Sequence, residues 1–466
     1  SITNRDRMFD CPQNLREEEM FEVPEWAANK VVYQIFPSRF AATEPVDKEL
    51  WYKAPITPMD DLHGNLRGII EHMDDIQNLG IDVLYMTPIF QSNSCHKYDT
   101  TDYYKIDPSF GTTEDLKELV QKAHERGMKV VLDAVYNHTG REFFAFADIL
   151  ENGEKSKYRD WYFIDGFPLK SEWGEIPNFK CFGYYGGMPK LNLKNPEVEK
   201  YITDVACYWI KECDIDGWRL DVGDEISHFF WKNFRKAVKA VKKDLLIIGE
   251  IWHYAGDFLE GDEWDTVMNY PFYLNLIDLL ADEKITVSQF VQNLGYLKGR
   301  LNKNCYPLMW NLIDSHDTAR FLHLCNDNKK KQHLAAAFQL LLPGMPMIYY
   351  GDEYAMPGAN DPDCRRGMYW DEEYQDKEMY EWYKRLIQVR KSHACIVEGE
   401  LAGIVTEDEE GTVVLIRKNG EETIAMIFNC SSSAKQFNEY TQKYNLLTEN
   451  TFDGNVEGFD AAVIVL

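Results

Sequence analysis

Four acidic residues stand where apolar, β-branched runs end. Asp133 follows KVVL, Asp221 follows GWRL, Glu250 follows LLIIG, and Asp317, preceded by His316, closes MWNLIDSHD. Any one of them is unremarkable, because a helix N-cap or a solvated loop accepts an acid equally well. Four carboxylates at the same end of four strands are harder to dismiss, since their repulsion must be offset by function or by nearby cations. Arg219, two residues before Asp221 and so on the same strand face, is a natural counter-charge. One carboxylate to attack an anomeric carbon, beside a second, protonated one that passes its proton to the leaving oxygen, is the inventory of glycoside hydrolysis. Retention of configuration asks for the two at about 5–5.5 Å, a spacing that adjacent strands supply. Asp221 and Glu250 end consecutive runs.

The elements that must position these acids follow from the hydrophobic pattern. Eight apolar runs alternate with amphipathic helical stretches: VVYQIF from Val31, IDVLYM from Ile81, KVVLDAV from Lys129, IDGWRLDV from Ile215, LLIIGEI from Leu245, DTVMNY from Asp265, PLMWNLI from Pro307 and PMIYYG from Pro346. Runs that are apolar throughout suit strands covered on both faces. The stretch TTEDLKELVQKAHERG predicts a helix with Leu116, Leu119, Val120 and Ala123 inward and Gly127 as its stop, and Asn195-Pro196 predicts the start of another, with Val198, Ile202, Val205 and Trp209 inward. Eight such units predict an α/β (β/α)8 TIM barrel formed by residues 1–136 and 196–395, with its chemistry at the C-terminal strand ends. Residues 137–195 are too long for an ordinary loop and predict a small inserted domain. Its aromatics, including Trp161, Tyr162, Trp173, Phe182, Tyr184 and Tyr185, suit both a small core and a sugar platform. Residues 396–466 turn to period-two strands and predict an antiparallel β-sandwich domain, with Asn419-Gly420 set for a tight hairpin.

The stretches DAVYNH (133–138), GWRLDVGDE (217–225), GEIW (249–252) and DSHDT (314–318) resemble, in order, the four signature regions of the α-amylase superfamily of retaining glycoside hydrolases. HKYDTTDYY (96–104) and PGMPMIYYGDE (343–353) resemble its secondary motifs, and MPKLN (188–192) resembles that of the neopullulanase, cyclomaltodextrinase and maltogenic amylase branch. The resemblance implies Asp221 as nucleophile, Glu250 as general acid/base and Asp317 as the third catalytic carboxylate. It further implies that Arg219 keeps Asp221 ionised, that His138 and His316 bind sugar hydroxyls, that Tyr98 stacks under the sugar and that Asp133 supports the site. Asp361 and Arg365 would hold the next sugar. Trp252 fits a core position and an acceptor-side contact equally. The implied activity is cleavage of α-1,4-glucosidic bonds, and also of α-1,6 bonds, in maltooligosaccharides, cyclodextrins, pullulan or starch. A glucosyltransferase or isomerase on the same scaffold is the alternative, because a sugar intercepts a covalent intermediate as readily as water does; a non-catalytic relative would not need the three intact carboxylates.

Other features bound the partners. With 77 acidic against 50 basic residues, the net charge of −27 argues against nucleic acid and anionic membrane surfaces. No stretch approaches the roughly 20 apolar residues of a membrane helix, and SITNRDRMFDCPQN lacks a signal-peptide core. Ten cysteines without CxxC pairs suggest a reducing, cytoplasmic setting. No cofactor or metal is expected: the loop after the first strand offers only Glu44, Asp47 and Glu49, whereas a hard cation wants six or more oxygens. His63, His253 and His323 are expected to be structural or solvated. Relatives in the branch normally begin with an N-terminal β-sandwich, and the first strand here falls by about residue 31. A monomer with an open cleft is therefore expected, its selectivity set by the segment from Trp161 to Tyr185 and by Asp361 and Arg365.

Overall fold

The computed structural model describes residues 22–172 and 174–466. Trp173 and the opening stretch SITNRDRMFDCPQN, with Cys11, lie outside the described residues. Eight parallel strands close a barrel: β1 (Val32–Ile35), β2 (Val83–Met86), β3 (Lys129–Ala134), β4 (Gly217–Leu220), β5 (Leu246–Gly249), β6 (Thr266–Asn269), β7 (Trp310–Asn311) and β8 (Met345–Tyr349). Each pairs with its sequence neighbour, and β8 returns to β1 with Met347 opposite Val32. All eight apolar runs thus become barrel strands. The seventh is shorter than its run, because Tyr306–Leu308, with Pro307 in its first turn, coils into a 3-10 helix before β7.

Side chains two apart on a strand share a face, and this periodicity builds the site. The lower inward positions are apolar: Val32, Val83, Val131, Leu246, Met268 and Trp310 pack into one buried cluster that plugs the barrel. Two residues up from Val32, Val83 and Val131 the inward positions are Gln34, Tyr85 and Asp133, and β4 adds Arg219 two residues above Gly217, all buried. The outer strand face packs under helices whose apolar stripes match the sequence reading. Helix Thr113–Glu125 buries Leu116, Leu119, Val120 and Ala123 behind a Thr112–Asp115 capping box, and helix Pro196–Cys213, capped by Asn195, buries Val198, Ile202, Val205 and Trp209.

Between β2 and the first of these helices a hairpin, Phe90–Ser92 with Thr100–Ile106, carries Tyr98 in its connection. After β3 the chain leaves the barrel through helix Phe144–Asn152 and returns by isolated bridges, including His138 to Lys190 and Tyr162 to Leu191. Its aromatics divide. Trp161 and Tyr162 are buried, the latter against Phe146 at 5.1 Å, while Tyr184 and Tyr185 are exposed. The division matches a segment that is both core and surface: Trp161 and Tyr162 belong to its small core, while Tyr184 and Tyr185 remain exposed.

The C-terminal part forms a six-stranded antiparallel sheet and a separate two-stranded one. Its central hairpin, Thr412–Asn419 with Glu422–Asn429, places Asn419 opposite Glu422, so the two-residue turn is Gly420-Glu421 rather than Asn419-Gly420. Gly420 has φ +61, the left-handed conformation that a type II′ turn requires of its first central residue. Phe428 stacks on Phe338 at 4.2 Å and ties this sheet to the barrel helix Lys329–Leu341.

Candidate active site

Asp221 and Glu250 come together through strand register. Leu220 pairs with Gly249 across β4 and β5, and the next residue of each strand is one of the two acids. Glu250 donates its backbone N–H to Leu220 at 2.9 Å, so the ladder continues to the acids themselves. Gly249 permits this approach: a Cβ there would fall 2.2 Å from the Trp264 ring. Asp133 lies one strand over, directly opposite Arg219.

Arg219 is fully buried and serves all three acids. Nη1 donates to Asp133 Oδ1 at 3.0 Å and to Asp221 Oδ1 at 3.1 Å, and Nη2 donates to Glu250 Oε2 at 2.7 Å. The sequence reading paired it with Asp221 alone. A charge-fixed planar fork suits a cation that must satisfy several carboxylates at once. Glu250 gains a second anchor, because Val222 N donates to its Oε1 at 2.8 Å. Val222 is held at φ +40, a left-handed conformation that costs a β-branched residue of order 1–3 kcal/mol and that aims this N–H.

Burial and three neighbouring carboxylates dominate the electrostatics. Burial, then the Glu250 charge, push the Asp221 carboxyl well above its ordinary value, against the pull of Arg219. Burial pushes Glu250 up as well, again opposed by Arg219. Asp133, which accepts the hydroxyls of Tyr85 and Tyr98 at 2.7 and 2.8 Å, is pushed up to about 6 by burial. Two acids on one guanidinium titrate as a pair, so the site can hold one carboxylate and one carboxylic acid together.

Asp221 and Glu250 line a cavity of about 310 Å³. Of the residues singled out from sequence, Tyr98, His138, Asp221, Glu250, Trp252, Asp317, Asp361 and Arg365 line it. Asp133, Arg219 and His316 lie beneath that lining and support it. His316 is buried between Gln34 Nε2 at 2.7 Å and the Tyr98 hydroxyl at 2.8 Å, and burial lowers its pKa well below the usual imidazole range. His138 reaches the Tyr98 carbonyl at 3.0 Å through Nε2, and burial pushes it down to about 4. Arg365 joins two predicted residues: Nη1 lies 3.0 Å from Asp361 Oδ1 and Nη2 lies 3.5 Å from Asp317 Oδ1, while Nε donates to the His316 carbonyl. Trp252 stacks on Tyr270 at 3.7 Å and is 43 % exposed, which places it at the rim rather than in the core.

His96, Phe182, Met188 and Val222 also line the cavity; Phe182 is one of the inserted-segment aromatics expected to offer a sugar platform, whereas the sequence assigns the other three no role there. His96 opens HKYDTTDYY and Met188 opens MPKLN, so motif position was the available signal. Tyr98 N donates to His96 Nδ1 at 2.9 Å, which leaves Nε2 as the N–H of the neutral ring. His63 and His253 pair with Asp61 and Asp224 at the surface, and His323 is exposed on helix Phe321–Leu324. Asp47 caps the short helix Lys48–Trp51 by accepting Glu49 N at 2.8 Å. Among the described residues no group of three or more His, Cys, Asp or Glu side chains is placed to hold a metal, and no helix is long and apolar enough to cross a membrane. A larger groove, about 560 Å³ between helices Lys329–Leu341 and Lys377–Ser392 and the C-terminal sheet, contains none of the predicted site residues.

A closed (β/α)8 barrel with three acids around one arginine at its C-terminal mouth defines a glycoside hydrolase of the α-amylase type. The family profile described as Alpha amylase, catalytic domain, matches residues 34–399. A cyclomaltodextrinase of Geobacillus thermopakistaniensis is 46% identical over 432 residues, covering 92% of this chain and 73% of that protein. Among solved structures, a cyclomaltodextrinase superposes with a TM-score of 0.90 at 38% identity over 96% of this chain and 79% of its own. The cyclic α-maltosyl-(1→6)-maltose hydrolase of Arthrobacter globiformis superposes with 0.87 at 35% identity over 96% and 100%. The chain belongs to the α-amylase family, in the branch of cyclomaltodextrinases, neopullulanases and maltogenic amylases.

Proposed function

We propose that this chain is a retaining hydrolase of α-glucans that acts through a covalent glycosyl-enzyme intermediate. The observation that carries the proposal is the single buried guanidinium of Arg219 bridging Asp221 and Glu250, which line the cavity from consecutive strand ends. Glu250, protonated, gives its proton to the glycosidic oxygen while an Asp221 oxygen attacks the anomeric carbon, and the leaving glucan departs as an alcohol. Glu250, now a carboxylate, takes a proton from water as that water attacks the same carbon, which releases Asp221. Asp317 and Arg365 hold ring hydroxyls across the cavity, where hydrogen bonds that tighten in the transition state accelerate the step. Tyr98 offers its face to the sugar in the cleavage subsite and Trp252 offers an exposed face at the rim, both suited to the C–H surface of a pyranose. His96 supplies an N–H to a hydroxyl. A hydroxyl at His138 shares or replaces its contact with the Tyr98 carbonyl.

Relatives named for cyclomaltodextrins and for a cyclic α-maltosyl-(1→6)-maltose support α-1,4 cleavage in maltooligosaccharides and cyclodextrins, with α-1,6 cleavage within reach of the same site. The nine described cysteines are all free thiols, which supports a reducing, cytoplasmic setting, and the net charge of −27 supports a monomer at low salt. Incubation with maltotriose, cyclodextrin, pullulan and starch, with products identified over time, tests the activity. Short linear sugars are expected from the first two substrates, and transfer products longer than the substrate would assign the glucosyltransferase alternative. An enzyme inert on all four would overturn the proposal.

A further inference from the structure

The turn that presents Asp317 stands on two feet, and both are tied to one residue. Asp314, three residues before Asp317, accepts the backbone N–H of Phe321 at 3.0 Å through Oδ2. Arg320, three residues after it, donates from Nη1 to Asp352 Oδ1 at 3.0 Å. Asp352 follows β8, and its backbone carbonyl accepts from Gln332 Nε2 at 2.8 Å. The carboxyl groups of Asp314 and Asp352 lie within hydrogen-bonding reach of each other, and the two residues are 1 % and 2 % exposed. One oxygen on each, Asp314 Oδ1 and Asp352 Oδ2, is buried without any other partner. Two ionised carboxylates cannot satisfy each other, since both only accept and both repel. Arg320 Nε and Nη2 are also without hydrogen-bond partners, their guanidinium lying over the Tyr349 and Tyr350 rings, so one proton between the acids is the donor that satisfies both oxygens and removes a negative charge beside Arg320.

We infer that Asp314 and Asp352 hold one proton between them, and that this O–H···O bond, with Arg320, fixes the turn at 315–318 so that Asp317 meets the substrate. The two acids are then positioning residues for the reaction, an inference that rests on Asp317 acting on substrate as proposed above. Within the turn, Asp317 N donates to Ser315 Oγ and Ser315 N donates to Thr318 Oγ1, so a displacement at either foot passes directly to Asp317. The charged and titratable groups facing the pair are Arg320, Glu353, Tyr273 from helix Tyr270–Leu276 and Tyr383 from helix Lys377–Ser392. Tyr349 and Tyr350 face Arg320. Burial pushes both acids of the pair up, and Asp314 raises Asp352 further. For a carboxyl held above its unfolded value, the bond is intact at low pH and its stabilisation is lost as pH rises through the folded value.

The test compares Asp314→Asn, Asp314→Ala and Asp317→Asn. Asparagine keeps an N–H donor toward Asp352 that no base removes, so Asp314→Asn should keep kcat within about threefold and show a shallower alkaline decline of melting temperature than the wild type. Asp314→Ala, assayed well below its melting temperature, should lose at least about tenfold in kcat with KM changed far less, because a misplaced Asp317 weakens the transition state more than the ground state. Should the alanine variant fail to fold, infrared spectra decide: a protonated-carboxyl C=O band at neutral pH should weaken from wild type to Asp314→Asn. An asparagine variant as impaired as the alanine one, an unchanged alkaline decline, or an unchanged carboxyl band overturns the inference. Loss of kcat in Asp317→Asn without loss in Asp314→Ala also overturns it, whereas an active Asp317→Asn variant instead removes the assigned role of Asp317.

Discussion

Replacing Arg219 by methionine removes the cation that bonds Asp133, Asp221 and Glu250 together while leaving a side chain of similar length among buried neighbours. The Asp221 contact is 3.1 Å and the Glu250 contact 2.7 Å, both in a buried setting. Unit charges about 4 Å apart at an effective dielectric near 20 interact by about 4 kcal/mol. For one acid that is about a thousandfold in its ionisation constant, since a tenfold change corresponds to about 1.4 kcal/mol. Three acids do not each bear this in full, because protonation of one relieves the others. The expected stability loss is therefore about 3–5 kcal/mol, the range for removing one partner of a buried ion pair. In the proposed mechanism catalysis is more sensitive, because Asp221 must be ionised to attack while Glu250 keeps its proton. The acid limb of kcat/KM should move toward neutral pH, and turnover on the acid side of the wild-type optimum should fall by about a hundredfold to a thousandfold. Arg219→Lys, which keeps the charge but cannot fork to both acids, should lie between. The assay is kcat/KM on a maltosyl substrate across pH, with the melting curve alongside. A folded Arg219→Met enzyme with the wild-type acid limb would refute the reasoning.

His138 is pushed down to about 4 by burial, against an ordinary value of about 6.5. Between those values it is neutral when folded and protonated when unfolded, so stability falls as pH drops from about 6.5 and the loss levels off below about 4. His138→Gln should flatten that decline by up to about 3 kcal/mol, read from unfolding curves at neutral and mildly acidic pH. The first product released from an α-glucan should be the α-anomer, because Asp221 and Glu250, sharing one guanidinium on consecutive strand ends, are arranged for direct attack and double displacement. Proton NMR in the first minutes reads this, and early β-anomer contradicts it. Dialysis against EDTA should leave both activity and the melting curve unchanged; a loss restored by calcium would reveal a site that the residues after β1 do not suggest.

The barrel was legible because its strands are buried on both faces and therefore read as apolar runs, and the helices because their caps and stripes are local. Length was harder. Trp310–Asn311 is a two-residue strand inside a seven-residue run, since a proline-containing 3-10 turn takes the residues before it. The hairpin turn was misplaced by one position because Asn-Gly is permissive at either register, and cross-strand pairing decides. Asp221, Glu250 and Asp317 were visible as strand-end acids, and the structure brings all three to one cavity. Arg219 joining three carboxylates was not visible, as strand order alone does not say how far a guanidinium reaches. His96, Phe182 and Met188 reach the cavity from the hairpin after β2 and the segment after β3, where no short-range period fixes direction. The left-handed Val222 and the Asp314–Asp352 pair depend on contacts between segments far apart in the chain.

The assignment of Asp221 and Glu250 is tested most directly by azide rescue of Asp221→Ala and Glu250→Ala with an α-maltosyl fluoride, which needs little acid assistance to leave. With the nucleophile removed, azide should attack from the vacated face and give the β-maltosyl azide. With the acid/base removed, Asp221 should still form the intermediate, and azide should then displace it to give the α-azide. NMR of the two products reads the outcome, and an α-azide from Asp221→Ala with a β-azide from Glu250→Ala would contradict the account by exchanging the two roles.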